Sequence, residues 1–302
     1  MSLKSHTLTM ACVTFFSVPA LAADTGQVFA TPQDALEVLI EAVATDWDAR
    51  LLGILGSDSQ DLITTGNPLR DAENRLALLQ QFAAGYRFQL DESGTVHVLL
   101  GADGWRFPVP LVRGDGGWRF DVEEGRDEIL SRRIGLNELD TIDIMYAYVE
   151  AQAAFRLVDH DNDGVMEFAA GILPSAPGAR DGLFWRGADT LMGELIALAA
   201  LEGDNDGASD QSPTPFGGYF YRVLSGQGQD APGGEMEYAI RGHQLAGHAL
   251  LAVPAEYGNS GIHSFLISEN GILFEADLGV DGVAYALEAT TYNPGAPWMP
   301  VE

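Results

Sequence analysis

The chain has 302 residues, of which 44 are acidic and 16 are basic, so its formal net charge is −28 at pH 7. Nucleic acid and anionic lipid repel such an acidic chain, so we expect neither as a partner. The hydrophobic fraction of 46% is enough to build buried cores, which excludes a largely disordered chain. The single cysteine, Cys12, excludes a disulfide within the chain.

Residues 1–22 have the three-part pattern of a secretory signal peptide. Lys4 opens the segment, an apolar run follows, and small residues precede a cleavage site near Ala22. The run is too short to span a bilayer, and no later stretch approaches the roughly 18 apolar residues that a membrane helix needs. Cleavage removes the only lysine and Cys12, leaving 15 arginines against 44 acidic residues, a formal charge of −29. We therefore expect a soluble protein in the periplasm or outside the cell.

The segment 27–125 predicts a small α+β domain in which helices precede a curved sheet. Thr31 is suited to cap a helix whose first residue is Pro32. After the helices the apolar period changes to two, and the tetrapeptide GWRF occurs twice around a glycine-rich turn, as in the strands of a hairpin. The predicted elements are helices over 31–55 and 69–86 and strands over 95–100, 104–107 and 117–120.

The segment 126–302 predicts a second domain, a long helix packed on an antiparallel sheet. Its longest helical pattern places Leu139, Ile142, Met145, Val149 and Ala153 on one apolar stripe. Short apolar runs then alternate with glycine-rich turns, and an Asn-Gly pair at 270–271 predicts the tip of a hairpin. The predicted elements are helices over 137–157 and 189–201 and strands over 217–224, 235–240, 246–253, 262–268 and 272–276.

The segment after the long helix carries the first half of a calcium-binding loop. Asp159, Asp161 and Asp163 alternate ahead of a glycine, and Glu167 follows at the position of a further ligand. Calcium takes six to eight oxygen ligands, and carboxylates at alternating positions of a glycine-enabled turn point inward. The sequence therefore predicts a calcium site whose ligands are Asp159, Asp161, Asp163 and Glu167.

Two observations keep another interpretation of this loop open. The twelfth position, which is normally a bidentate glutamate, is Ala170. A distal carboxylate such as Asp181 would have to replace that ligand. A solvated acidic turn that ends the long helix explains the same residues without any metal ion.

The other reactive side chains form no recognised catalytic or metal-binding motif. His243 and His248 are five positions apart, which suits neither one helical face nor one strand face, so we expect no zinc site. Ser260 lies in YGNSG, which lacks the residue order of a nucleophile elbow and is explained by a tight turn. The sequence has no Walker loop and no glycine fingerprint after a strand, so no nucleotide cofactor is expected.

The chain carries several longer motifs in a fixed order. They are FPVPLVRGDGGWRFD (107–121), RRIGLNEL (132–139), AYVEAQ (147–152), DNDGVMEFA (161–169), DGLFW (181–185), GGYFYRVLSGQGQDAPGG (217–234) and VPAEYGNSGIHSFLISENGILFEADLG (253–279). Together they resemble an uncharacterised family of exported bacterial proteins, DUF2950, from about Phe29 to Glu302. The resemblance implies a location and an architecture but no reaction, because the family has no established activity.

Two looser likenesses concern the fold alone. The first segment is similar to the cone-shaped fold that nuclear transport factor 2 shares with small polyketide cyclases. The second segment resembles the globular half of type IV pilins and pseudopilins, in which a long helix precedes a strand and a glycine-containing hairpin. Neither likeness determines a function, because one fold supports many activities.

Two functional hypotheses from different classes follow. The first is a non-catalytic binding or assembly module of the envelope, stabilised by calcium, with an unidentified envelope protein or ligand as its partner. The second is an enzyme that uses a pocket of the first segment, where Asp121 or Glu138 near Trp105 and Trp118 performs acid–base chemistry. We favour the first, because the sequence brings no nucleophile and base into a recognised arrangement.

Overall fold

A computed structural model describes residues 26–45, 47–64, 68–160, 162–176, 178–201 and 212–301. The chain divides into two compact units, of which the first ends at Glu128 and the second begins at Ile129. The predicted signal peptide and the predicted ligand Asp161 lie outside the described residues. Helices alternate with mainly antiparallel sheets along the chain, which confirms the predicted α+β class.

In the described residues of the first unit, helices precede an antiparallel sheet. The elements are α1 (Pro32–Thr45), α2 (Trp47–Leu55), α3 (Gln60–Ile63), α4 (Pro68–Ala83), β1 (Tyr86–Leu90), β2 (Val96–Leu100), β3 (Trp105–Arg106), β4 (Leu111–Gly114) and β5 (Gly117–Phe120). The sheet order is β1-β2-β4-β5, and β3 also pairs with β2. The single helix predicted over 31–55 is therefore two helices, and β1 was not predicted.

Helix α1 begins where the sequence predicts. Thr31 Oγ1 accepts a hydrogen bond from the Asp34 N–H (3.1 Å), and Asp34 Oδ2 accepts one from the Thr31 N–H (3.1 Å). This reciprocal pair satisfies two N–H groups that the first turn of a helix leaves without partners. The helix then buries Leu36, Leu39 and Val43 in the core of the first unit. The sheet contributes Val96, Val98, Leu100, Leu111 and Phe120 to the same core.

In the second unit a long helix is followed by short strands. The elements are α5 (Val122–Phe155), which begins before the unit boundary, α6 (Glu194–Leu198), β6 (Tyr219–Leu224), β7 (Gly226–Gln227), β8 (Met236–Glu237), β9 (Ala239–Ile240), β10 (His243–Gln244), β11 (Ala249–Pro254), β12 (His263–Ser268), β13 (Phe274–Asp277), α7 (Gly282–Glu288), β14 (Thr291–Tyr292) and β15 (Met299–Pro300). The main sheet has the order β15-β13-β12-β11-β6. Two small sheets, β14-β7-β8 and β10-β9, accompany it.

Strand β11 is the centre of the second unit, because it pairs with β12 on one side and β6 on the other. Its six residues are all buried. Leu250 and Ala252 belong to the same core as Met145 of α5, whereas Leu251 lies in a second core with Ala286 of α7. Successive side chains of a strand point to opposite faces, so a run that is apolar throughout indicates a sheet covered on both faces.

The predicted hairpin of the second unit is confirmed. Strands β12 and β13 pair antiparallel, and the connection between them contains Asn270 and Gly271. Asn270 Oδ1 accepts a hydrogen bond from the Ile272 N–H (2.9 Å), and Gly271 has a φ of 72°. That φ lies in the left-handed region, which glycine enters without a steric penalty.

Helix α5 begins well before the predicted residue 137. Asp121 Oδ1 accepts a hydrogen bond from the Glu124 N–H (3.3 Å), and the Asp121 carbonyl accepts one from the Gly125 N–H (3.0 Å). Asp121 is therefore the N-cap of a helix of 34 residues. The early turns were missed because they contain glycine and many charged residues, and so lack an apolar stripe.

The buried face of α5 also differs from the predicted stripe. Leu139 is 62% exposed and Ala153 is exposed, whereas Tyr148 and the polar Gln152 are completely buried. Gln152 Nε2 donates to the Ala169 carbonyl (2.9 Å), and Gln152 Oε1 accepts from the Ala169 N–H (2.9 Å). The side-chain amide of Gln152 therefore satisfies both backbone groups of Ala169, as a neighbouring strand would, in the segment that follows the acidic loop at 159–167.

Candidate metal centre

The turn after α5 is shaped by Asp159. Its Oδ1 accepts a hydrogen bond from the Asn162 N–H (2.8 Å), and its Oδ2 accepts one from the Gly164 N–H (3.0 Å). Asn162 and Gly164 have φ values of 64° and 91°. Asparagine and glycine tolerate this left-handed conformation better than other residues do. Both carboxylate oxygens of Asp159 are therefore hydrogen-bonded to backbone groups of its own turn.

Asp163 and Glu167 each have one carboxylate oxygen fixed by the backbone. Asp163 Oδ1 accepts a hydrogen bond from the Val165 N–H (2.7 Å), and Glu167 Oε2 accepts one from the Gln244 N–H (2.6 Å). These bonds restrict the rotation of both carboxylates. The second oxygen of each, Asp163 Oδ2 and Glu167 Oε1, is directed toward the same histidine, His243.

His243 reaches this loop because β10 lies beside the segment that follows it. The Phe168 N–H donates to the Gln244 carbonyl (2.9 Å), and the Gln244 N–H is bonded to Glu167 as described. Gln244 is thus tied on both backbone sides to the end of the acidic loop. The neighbouring His243 is held over the loop by these contacts and is half-buried.

The three side chains converge on one point. One donor atom each from Asp163, Glu167 and His243 lies within 4.8 Å of the other two. His243 Nδ1 is 3.3 Å from Asp163 Oδ2 and 3.6 Å from Glu167 Oε1. Two carboxylates at this separation repel each other, and a positive charge between them relieves that repulsion. The arrangement can therefore hold a cation.

The structure treats the four predicted calcium ligands differently. Asp163 and Glu167 are brought together, Asp159 is bonded to its own turn, and Asp161 lies outside the described residues. Asp181, the distal carboxylate considered as a replacement ligand, accepts a hydrogen bond from the Ser175 N–H (2.9 Å). Calcium binding by this loop stays a prediction.

His243 is the member of the cluster that sequence reasoning missed. Its spacing from His248 carries no motif, and it lies far along the chain from the acidic loop. Only the pairing of β10 beside Phe168 places it there. The sequence does show a polar pair, His243-Gln244, inside a run of short strands. Periodicity alone does not show that this pair lies near Glu167.

The residues considered for acid–base chemistry have structural contacts. Asp121 caps α5, and Glu138 Oε1 accepts hydrogen bonds from the Ile262 N–H (2.9 Å) and the His263 N–H (3.0 Å). The first unit has an open cavity of about 410 Å³ beside Trp118. Neither carboxylate is among the residues that line it, which are Leu90, Ser93, Gly94, Thr95, Val112, Arg113 and Trp118.

The sequence pattern of the family described as "Protein of unknown function (DUF2950)" matches residues 26–301. The chain belongs to this family. The resemblance carried by the ordered motifs is thereby confirmed, and the likenesses to pilins and to nuclear transport factor 2 stay predictions. No curated protein and no solved structure matches the chain.

The DUF2950 description names no reaction, ligand or partner. Across the described residues, no helix combines the length and the hydropathy needed to cross a bilayer. The long helix α5, for example, contains acidic residues from its first turn onward. Because the family description names no ligand, the geometry at Asp163, Glu167 and His243 is what indicates which ligands the second unit can bind.

Proposed function

We propose that this protein is an exported, non-catalytic binding or assembly module of the bacterial envelope, stabilised by a divalent cation in its second unit. The observation that carries the proposal is the convergence of Asp163, Glu167 and His243 within 4.8 Å. Export is supported by the signal-peptide pattern of residues 1–22. Calcium, which the acidic loop predicts, is one of the ions to be tested.

A cation at this point links parts of the chain that are distant in sequence. Asp163 and Glu167 belong to the loop after α5, and His243 belongs to β10. The unfolded chain does not keep these groups together, so the ion binds the folded state in preference. Such binding stabilises the folded state by about 2.7 kcal/mol when the free ion is present at a hundred times its dissociation constant.

The test is thermal unfolding of the mature, chelator-treated protein with calcium, magnesium, manganese or zinc added singly. We expect at least one ion to raise the melting temperature by about 5 °C, since about 1 kcal/mol corresponds to 2–4 °C in domains of this size. The double variant Asp163→Asn/Glu167→Gln should lose this increase. Glu235→Gln, which changes an exposed carboxylate of the same unit, should keep it.

Two results would contradict the proposal. One is a melting temperature that no divalent ion changes. The other is an increase of equal size in the wild-type protein and in the Asp163→Asn/Glu167→Gln variant, which would place the ion elsewhere on this acidic chain.

A further inference from the structure

We infer that the cluster of Asp163, Glu167 and His243 is a site for a zinc-class transition metal in preference to calcium. The inference rests on the divalent-cation site proposed above and identifies its metal. It depends on three features of the cluster: the element of the third donor atom, the hydrogen bonds that fix the carboxylates, and the distances from the histidine nitrogen to the carboxylate oxygens.

The third donor atom is a nitrogen. His243 directs Nδ1 at both carboxylates, at 3.3 Å from Asp163 Oδ2 and 3.6 Å from Glu167 Oε1. Calcium is a hard cation that takes oxygen ligands, whereas imidazole nitrogen is a common ligand of zinc and of neighbouring transition metals. A histidine in the ligand set therefore favours zinc over calcium.

The hydrogen bonds of the two carboxylates favour metal binding through one oxygen of each. Calcium takes six to eight oxygen ligands and often binds a carboxylate through both of its oxygens. Here Asp163 Oδ1 is bonded to the Val165 N–H and Glu167 Oε2 to the Gln244 N–H. The other oxygen of each, Asp163 Oδ2 and Glu167 Oε1, faces His243 Nδ1. Hydrogen bonds to the second oxygen are typical of carboxylates that bind a transition metal, because they fix the orientation of the ligand.

The two distances from His243 Nδ1 to the carboxylate oxygens fit a zinc ion. Zinc binds nitrogen and carboxylate oxygen at about 2.0–2.2 Å, so two ligands at a tetrahedral angle lie about 3.4 Å apart. The two distances from His243 Nδ1, 3.3 Å and 3.6 Å, bracket this value. Asp163 is exposed, so a solvent molecule can complete the coordination on its side.

The experiment compares the affinities of zinc and calcium by isothermal titration calorimetry of the mature, metal-stripped protein. We expect zinc to bind at least about tenfold more tightly than calcium. His243→Ala should weaken zinc binding by about 10-fold to 100-fold and leave calcium binding within about threefold of its wild-type value. His263→Ala is the matched control, because His263 also faces a carboxylate, Glu138, but lies outside the cluster.

Two outcomes would overturn the inference while leaving a cation site in place. One is calcium binding as tight as zinc binding, and the other is zinc affinity that survives His243→Ala. Absence of binding by any ion would instead refute the proposed function. If His243→Ala fails to fold by circular dichroism, Asp163→Asn replaces it, because Asp163 is exposed and the same loss of zinc affinity is expected.

Discussion

His248 is a buried histidine whose environment disfavours its charged form. It is 2% exposed and packs edge-on against Tyr148 and Phe168, with ring centroids 5.3 Å and 4.7 Å away. Its Nδ1 has no hydrogen-bond partner in the described part of the chain. Burial, together with a smaller effect of the positive charge of Arg156, lowers the pKa of His248 to about 4. The side chain is therefore neutral in the folded protein near neutral pH.

This pKa shift predicts a loss of stability in mild acid. The pKa of His248 is about 4 in the folded state and near 6.5 in the unfolded state, so between these pH values only the unfolded state takes up the proton. Above pH 6.5 this group does not reduce the free energy of unfolding. As the pH approaches 4, the free energy of unfolding falls by up to about 3 kcal/mol. Urea unfolding across this range should show the loss in the wild-type protein and a smaller slope in His248→Phe. Equal slopes in the two proteins would refute the assignment.

At the scale of the elements, α5 holds the turn before β12. Glu138 Oε1 accepts hydrogen bonds from two consecutive backbone groups, the Ile262 N–H and the His263 N–H. Asn137 Nδ2 donates to the Ser260 carbonyl (2.8 Å) in the same turn. Gly261 fits there because an added Cβ would lie 2.1 Å from Tyr219 Oη. Polar contacts thus fix the helix to the turn, and close packing at Gly261 fixes the turn to Tyr219 of β6.

These contacts predict different effects for two substitutions at Glu138. Glu138→Ala leaves both N–H groups without their acceptor and should lower the free energy of unfolding by about 2 kcal/mol. Glu138→Gln should cost less, because the amide oxygen can occupy the place of Oε1. Glu150→Ala, at an exposed position of the same helix, should change stability by no more than about 0.5 kcal/mol. Chemical denaturation measures all three, and equal losses for Ala and Gln at position 138 would contradict the role of Oε1.

At the scale of the whole molecule, the dominant property is the excess of acidic residues. A formal charge of −28 makes the folded chain repel itself, since folding brings the carboxylates closer together. Ion pairs among the described residues, such as Arg126 with Asp61 at 2.9 Å, offset little of this repulsion. The chain has 44 acidic residues and only 16 basic residues that could pair with them.

Self-repulsion predicts that salt stabilises the protein. The Debye length falls from about 30 Å at 0.01 M to about 3 Å at 1 M, so added sodium chloride screens the repulsion. With a chelator present throughout, we expect the melting temperature at pH 7 to rise by about 3 °C or more over this range. The same titration near the isoelectric point of about 4.2 is the control and should show little increase. An equal increase at both pH values would show that salt acts by another route.

The sequence by itself determined the fold class, the family and several local structures. The local structures depend on residues close together in the chain: Thr31 and Asp34 form a capping box, and Asn270 with Gly271 makes a hairpin turn. The first residue of α5 was harder to predict from the sequence, because Gly125 in its first turns suggests a break in the helix. The structure shows the reason for this glycine, since an added Cβ would lie 2.8 Å from Val109.

The tertiary structure decided the composition of the candidate metal centre. Sequence spacing indicated Asp163 and Glu167, whose positions near the glycine turn follow from local geometry alone. His243 joins them only because the backbone of Gln244 pairs with Glu167 and Phe168 across a long stretch of chain. Periodicity and motif spacing describe neighbours along the chain, whereas a ligand set depends on which strands come to lie beside each other. That difference changes the expected ion from calcium, which the loop predicts, to the zinc class that we propose for the assembled site.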